Sequence, residues 1–293
     1  MAAMDSAPDT SFGHFENADQ IAFWNGAGGQ RWVERQAELD HMLAPVQEML
    51  IARAEIQPGE RVLDIGCGCG ATMIAAAEKG GGGGQVVGVD VSAPMLVRAN
   101  DVAPAEAPVT FVQGDAMVHH FNAASADLVT SRLGVMYFAD PVRSFLNIRT
   151  ALRSEGRIAF ACWGELRDNP WALEPLQAAY EHVPKLPGLR PHAPDDFAFA
   201  ERDWVEHVLT EAGLRRVRFE RCDLSLDISG DGGLDGAAAT ALAIGPASRA
   251  VAGQAADAVA AVTGAVRSAL ARYAKGGAVT VPAAFWVVTA VDP

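Results

Sequence analysis

Three aspartates and a run of glycines are the residues best placed to act together on a ligand. Asp64 stands two residues before Gly66-Cys67-Gly68-Cys69-Gly70, Asp90 closes the apolar run Val86 to Val89, and Asp115 lies in Gly114-Asp115-Ala116 just after Val109 to Val112. Each follows a short β-prone segment. In a parallel sheet all three therefore fall on the carboxyl edge, where open α/β sheets bind ligands. Glycines there allow a tight turn and close approach of backbone to ligand, and the helix that follows offers free N–H groups. A nucleotide-like ligand suits this edge.

The elements around these residues predict an α/β fold with a doubly wound parallel sheet. Arg61 to Ile65 reads as a strand after the Pro58-Gly59 turn, Ala71 to Lys79 as a helix, and Gly80 to Gly84 as a loop. A second helix opens at Pro94, strands follow at Val109 to Val112 and Asp127 to Ser131, and Pro141 to Leu152 is helical with Val142, Phe145 and Ile148 on one face. Arg157 to Cys162 is a further strand. Near-continuous apolar strands separated by helices point to a sheet covered on both sides. Upstream, a polar opening to about Asp19 precedes two or three helices between Gln20 and Leu50. Downstream, Glu165 to Phe199 is rich in Pro and Trp without a clear period and reads as an irregular insertion. Then come a helix at Glu201 to Ala212, a strand at Arg216 to Cys222, a loop-like Leu224 to Gly236, an amphipathic helix around Val259 to Tyr273 and a strand at Val279 to Val291. The expected organisation is one domain over 1–293: an N-terminal helical lid (1–58), a cofactor-binding core (59–163), an insertion (164–200) and the rest of the sheet (201–293) interrupted by a helical insertion (224–277).

Composition removes several classes of function. Of 293 residues, 36 are acidic and 23 are Lys or Arg, a formal charge of -13 that argues against nucleic acid as a partner. The opening residues carry Asp and Glu without Lys or Arg, the wrong sign for a secretory leader, and no apolar stretch is long enough to span a membrane. A cytoplasmic chain is expected. Cys67, Cys69, Cys162 and Cys222 lack a second pair at zinc spacing, so no metal site is expected and all four read as reduced thiols. Arg outnumbers the three Lys and Ala and Gly abound, which suggests a GC-rich bacterial genome and specialised metabolism.

The glycine run also fits, through Gly66, Gly68 and Ala71, the G-x-G-x-x-G/A pattern of nicotinamide-dependent oxidoreductases, and that alternative stays open at this point. The ordered set favours another family. Val62 to Gly70, Asp90, Gly114-Asp115-Ala116, the segment Arg132 to Pro141 and the turn Leu152 to Arg157 together resemble class I S-adenosylmethionine-dependent methyltransferases, in the small-molecule branch with the ubiquinone and menaquinone biosynthesis enzymes. The resemblance runs from about Gly59 to Trp163, and departs from it at Ser154-Glu155-Gly156, where relatives carry Pro-Gly-Gly. It implies a Rossmann-like seven-stranded sheet whose last strand is antiparallel. It also implies S-adenosyl-L-methionine as cofactor, with S-adenosyl-L-homocysteine as product. By the same resemblance Gly66 and Gly68 line the methionine portion with Asp64 near its ammonium, and Asp90 and the adjoining Val91 meet the ribose. Asp115 and Ala116 meet the adenine, while Ser131 and Arg132 border methionine and acceptor.

Methyl transfer from a sulfonium is an in-line displacement that needs alignment and exclusion of water, and a base only if the acceptor must lose a proton. His119 is the candidate polar residue or base, with His14 a second. Trp24 and Trp32 are expected to fold over the cofactor. Met136, Tyr137 and Trp163 are expected on the wall of an apolar acceptor pocket roofed by the two insertions. The partner implied is a small-molecule methyl acceptor, taken by a monomer or homodimer. A cofactor-binding protein without transfer activity is the remaining alternative.

Overall fold

The computed structural model describes residues 17–81 and 83–293; His14 and the polar opening up to residue 16 lie outside them. Three helices come first: α1 (Ala18–Asn25), α2 (Ala27–Glu34) and α3 (Gln36–Ala54). The alternating core follows as β1 (Arg61–Ile65), α4 (Ala71–Gly80), β2 (Gln85–Asp90), α5 (Ala93–Val102), β3 (Val109–Gln113), β4 (Ala126–Arg132), α6 (Pro141–Arg149) and β5 (Leu152–Trp163). Next come α7 (Pro170–Ala179), α8 (Arg202–Glu211), β6 (Arg215–Asp227), α9 (Gly233–Ala243), α10 (Gly245–Val251) and α11 (Ala256–Leu270), then β7 (Ala274–Lys275) and β8 (Ala278–Val291).

The main sheet runs β3-β2-β1-β4-β5-β8-β6, with the two-residue β7 paired to β8 alone. The first five strands are mutually parallel, and β8 lies antiparallel between β5 and β6. This is the α/β sheet expected from the sequence. Register sets the level of the loops: Ile65 pairs with Val89 and Asp90 with Gln113, so β1, β2 and β3 release their loops side by side. The helix starts follow local chemistry. Ser92 caps α5 by accepting from the Met95 N–H with Pro94 in the first turn, and Asp140 caps α6 by accepting from the Arg143 N–H with Pro141 leading.

Four details depart from the sequence reading. The helix over Gln36–Ala54 continues through Pro45, because Leu39, Met42, Leu43, Val46 and Leu50 all bury against the sheet and outweigh one lost backbone bond. This makes α3 part of the core, and its Met42 and Leu43 reach the site together with residues of α1 and α2. The expected turn from Leu152 to Arg157 is an excursion inside β5, where Ala126 pairs with Leu152 and Leu128 with Arg157 while Glu155 takes a left-handed φ of 59°. The segment Glu165 to Phe199 contains α7, whose Trp171, Ala172 and Leu176 face inward. Finally, β6 extends to Asp227, and α9 and α10 occupy a stretch without a visible period, since Ala-rich helices buried on several sides carry no polar stripe. α7 packs against α10 and α11, so the two insertions form one helical layer. Among the described residues no helix is long and apolar enough to cross a membrane.

The core beneath β5 is aromatic: Phe160 lies 5.7 Å from Phe145 and 6.1 Å from Phe199 between ring centroids, and all three are buried. Replacing Phe160 with Ala should therefore cost about 3–5 kcal/mol, measured by urea unfolding. An ionisable carboxyl sits inside the sheet. Asp64 of β1 is the register partner of Thr130 of β4, accepts from its hydroxyl at 2.7 Å and is almost wholly buried. Burial pushes its carboxyl up to about 7, against the opposing effects of the Thr130 bond and Arg132. An unfolded Asp releases its proton near pH 4 while the folded one holds it, so this stability is lost as pH rises from about 4 through 7. Asp64→Asn keeps an acceptor for Thr130 without the charge. Its unfolding midpoint should gain on the wild type between pH 5 and pH 8, and parallel midpoints across that range would refute the assignment.

Candidate functional site

The glycine run forms a loop closed by its own backbone. Gly66 N–H donates to the Val89 carbonyl at 2.8 Å, Gly70 N–H to the Cys67 carbonyl at 2.9 Å, and Gly66 and Gly68 adopt φ of 67° and 54°, which side-chain-bearing residues rarely take. Asp90 fixes the loop from the side. Its Oδ2 accepts from the Gly68 N–H and its Oδ1 from the Ser92 N–H, both at 2.8 Å, leaving further lone pairs on each oxygen. Burial raises its pKa, and the backbone N–H bonds counter that rise. On the opposite side a Cβ on Gly134 would lie 2.8 Å from the Ile65 carbonyl oxygen and 3.0 Å from the Gly66 Cα. The loops after β1 and β4 thus meet backbone to backbone.

The first two helices are tied to this edge by main-chain contacts. Asn25 Nδ2 donates to the Val91 carbonyl at 2.9 Å, its Oδ1 accepts from the Ala93 N–H at 3.0 Å, and the Ser92 hydroxyl donates to the Trp24 carbonyl at 2.6 Å. Trp24 then stands edge-on to Trp32 at 6.1 Å and to Tyr137 at 5.0 Å between centroids. The result is a cleft running from the carboxyl edge of the sheet to the α7–α10 layer.

Gly66, Gly68, Asp90, Val91, Asp115, Ala116, Arg132, Trp24, Trp32, Met136, Tyr137 and Trp163 all line this cleft. Asp115 uses Oδ1 to accept from the Met117 N–H at 3.0 Å, while its buried Oδ2 has no partner among the described residues. Asp64 and Ser131 are placed behind the lining: Asp64 in the sheet against Thr130, and Ser131 buried under Gly134. His119 is also outside the lining. Its ring packs edge-on against Phe121 at 4.9 Å and under Gly114, its N–H donates to the Asp115 carbonyl, and burial followed by His120 holds its pKa down. Those contacts describe a residue that braces the loop after β3. All four cysteines are free and buried, and among the described residues no cluster of His, Cys, Asp and Glu could hold a metal.

Several lining residues escaped the sequence reading. Trp171, Ile244, Ser248 and Arg249 come from the two insertions, and Asp196 from the loop before α8. Nothing in their local spacing marks them, because they meet only when α7 and α10 pack. The start of α5 was legible through Pro94, whereas the contacts of Asn25 and Ser92 between it and α1 were not.

A family model described as a methyltransferase domain matches residues 63–160. The chain is 38% identical over 139 residues to nocamycin O-methyltransferase of Saccharothrix syringae, covering 45% of this chain and 49% of that one, so it spans about half the length of that relative. It is 31% identical over 176 residues to demethylmenaquinone methyltransferase of Beutenbergia cavernae, covering 56% and 69%. The fold is similar to that of the YcgJ protein of Bacillus subtilis, with a TM-score of 0.54 at 18% identity over 85% of this chain and 98% of that one. With the strand order, the glycine loop and the carboxylate edge in place, these likenesses establish that the chain belongs to the class I S-adenosylmethionine-dependent methyltransferases.

Proposed function

We propose that this protein transfers the methyl group of S-adenosylmethionine to a small, largely apolar or aromatic metabolite. The observation that carries this reading is a single cleft with unspent hydrogen-bond acceptors at one end and an aromatic wall at the other. The residues at the first end fit the cofactor: Asp90 is pre-positioned by two backbone N–H groups with lone pairs to spare, Asp115 offers a buried oxygen without a partner among the described residues, and Gly66 and Gly68 bring bare backbone to the lining.

When bound, the cofactor supplies an electrophilic methyl group, so the protein's part is to bind, align and keep water out. Asp90 would accept from the ribose hydroxyls with Val91 beside it. Asp115 would accept from the adenine amino group, with the Ala116 N–H toward the ring. Gly66, Gly68 and Arg132 would hold the methionine portion. Asp64 and Ser131 would act from behind, supporting the loop. Trp24 and Trp32 would close over the cofactor, and Met136, Tyr137 and Trp163 would position the acceptor.

The amino-acid make-up and the bacterial relatives support a bacterial enzyme of specialised metabolism. We take it to be one domain that works in the cytoplasm as a monomer or homodimer, with no nucleic-acid partner. The nicotinamide-dependent alternative draws no support from the matching family or relatives.

Isothermal titration should give micromolar binding of both S-adenosylmethionine and S-adenosylhomocysteine; no heat at millimolar ligand would refute the reading. Asp90→Ala should weaken binding roughly a hundredfold, the loss of two hydrogen bonds to a charged acceptor at about 1.5 kcal/mol each. Cofactor binding without turnover of any acceptor in a broad panel would favour a non-catalytic binding protein.

A further inference from the structure

The acceptor half of the cleft holds charge for which cofactor binding has no use. Tyr137, half-buried on the turn after β4, donates its hydroxyl to Asp196 Oδ1 at 2.6 Å. Asp196 Oδ2 accepts from Arg249 Nη1 at 2.9 Å, and Arg249 Nη2 donates to Asp195 Oδ2 at 2.5 Å. Asp195 and Asp196 are 9% and 8% exposed, and among the described residues Arg249 is their shared cation. Two carboxylates and one guanidinium leave a surplus negative charge. Burying such a group is costly, and an apolar contact would hold α10 in place as well.

The two carboxylates differ in what else they do. Asp195 is tied into its own loop, with Oδ1 accepting from the Phe197 N–H at 3.0 Å and its backbone N–H donating to the Met136 carbonyl. Asp196 instead gives its second oxygen to a phenol that lines the cleft, and it lines the cleft itself. The facing helix adds acceptors. Asn17 and Gln20 lie on the same face as Trp24, line the cleft, and their buried Oδ1 and Oε1 have no hydrogen-bond partner among the described residues. These are acceptors that a donor on a ligand can satisfy.

Resting on the methyltransferase reading, we propose that the acceptor is an aromatic or enolic compound methylated at a neutral hydroxyl, and that Tyr137 and Asp196 take up the hydroxyl proton. The acceptor O–H bond breaks toward Tyr137 Oη while the proton of Tyr137 moves to Asp196 Oδ1. The acceptor oxygen forms its bond to the methyl carbon, and the electron pair of the carbon–sulfur bond stays on sulfur. The positive charge of the sulfonium and the surplus negative charge of the network vanish together, a change that a largely apolar cleft favours. A carboxylate acceptor would instead bring a second negative charge against Asp196, and an ammonium cannot attack until it has lost its proton.

Matched aromatic probes separate these cases: p-cresol, p-toluate and 4-nitrophenol, the last largely ionised before it binds. Tryptophan quenching in the presence of S-adenosylhomocysteine should show p-cresol bound at least tenfold more tightly than p-toluate, with Asp196→Asn narrowing that gap at least fivefold. Equal affinity, tighter p-toluate, or no discrimination by either protein would overturn the proposal. In turnover, Asp196→Asn and Tyr137→Phe should each slow p-cresol methylation at least tenfold more than 4-nitrophenol methylation, because the phenolate has no proton to give up. A uniform loss on both phenols would mark a structural role and also overturn it. Titration of S-adenosylhomocysteine into each variant keeps the two readings apart: retained cofactor affinity with no preference for hydroxyls defeats this inference alone, whereas absent cofactor binding in the wild type defeats the underlying reading.

Discussion

The site depends on one carboxylate bonded twice to backbone. By accepting from Gly68 and Ser92, Asp90 joins the glycine loop after β1 to the first turn of α5, two segments that leave adjacent strands. Ser92 then carries the connection onward to Trp24, and Asn25 seals it from the other side. Loop, helix start and covering helices are thus set by a short chain of hydrogen bonds. Because the partners are mostly main-chain atoms, the geometry tolerates change in the surrounding side chains and is sensitive to change at Asp90. The cost is a charge taken out of water, which raises the Asp90 pKa even with two N–H donors in place.

What the sequence made legible follows the range of the interactions involved. The strand, loop and helix around Gly66 are specified within ten residues, by glycines at left-handed positions and by the apolar run before them, and they could be read directly. So could the starts of α5 and α6, where Ser92-Ala93-Pro94 and Asp140-Pro141 spell out a cap followed by proline. Asp64 shows the limit. Its spacing from the glycines is right for the family, yet only the pairing of β1 with β4 brings Thr130 to its carboxylate and places both inside the sheet. His119 is similar, a titratable residue close in sequence to the carboxyl edge whose ring turns toward Phe121.

The far half of the cleft was the least legible for the same reason. α9 and α10 are short, alanine-rich and buried on several sides, so they lack the alternation that identifies an amphipathic helix, and α7 is hidden among prolines. Asp196 and Arg249 lie 53 residues apart and meet only through the packing of these helices. On the proposed reading, residues that recognise the common ligand are encoded locally, and those that recognise the variable one are brought together by tertiary contacts. A family signature therefore identifies the first and is silent on the second.

The position of β8 has a consequence for how the protein is made. In the order β5-β8-β6, the strand Arg215–Asp227 has no neighbour in the sheet among the described residues except Ala278–Val291. During synthesis β6 leaves the ribosome before the strand it pairs with, and α9, α10 and α11 must be made in between. Until then one side of β5 and both sides of β6 are open edges, the kind of surface that recruits other strands. The parallel core with its glycine loop can assemble early, while the roof over the far half of the cleft waits for a pairing that closes late and over a long span of chain. A nascent chain would thus hold a formed cofactor edge before it holds a place for anything to be methylated.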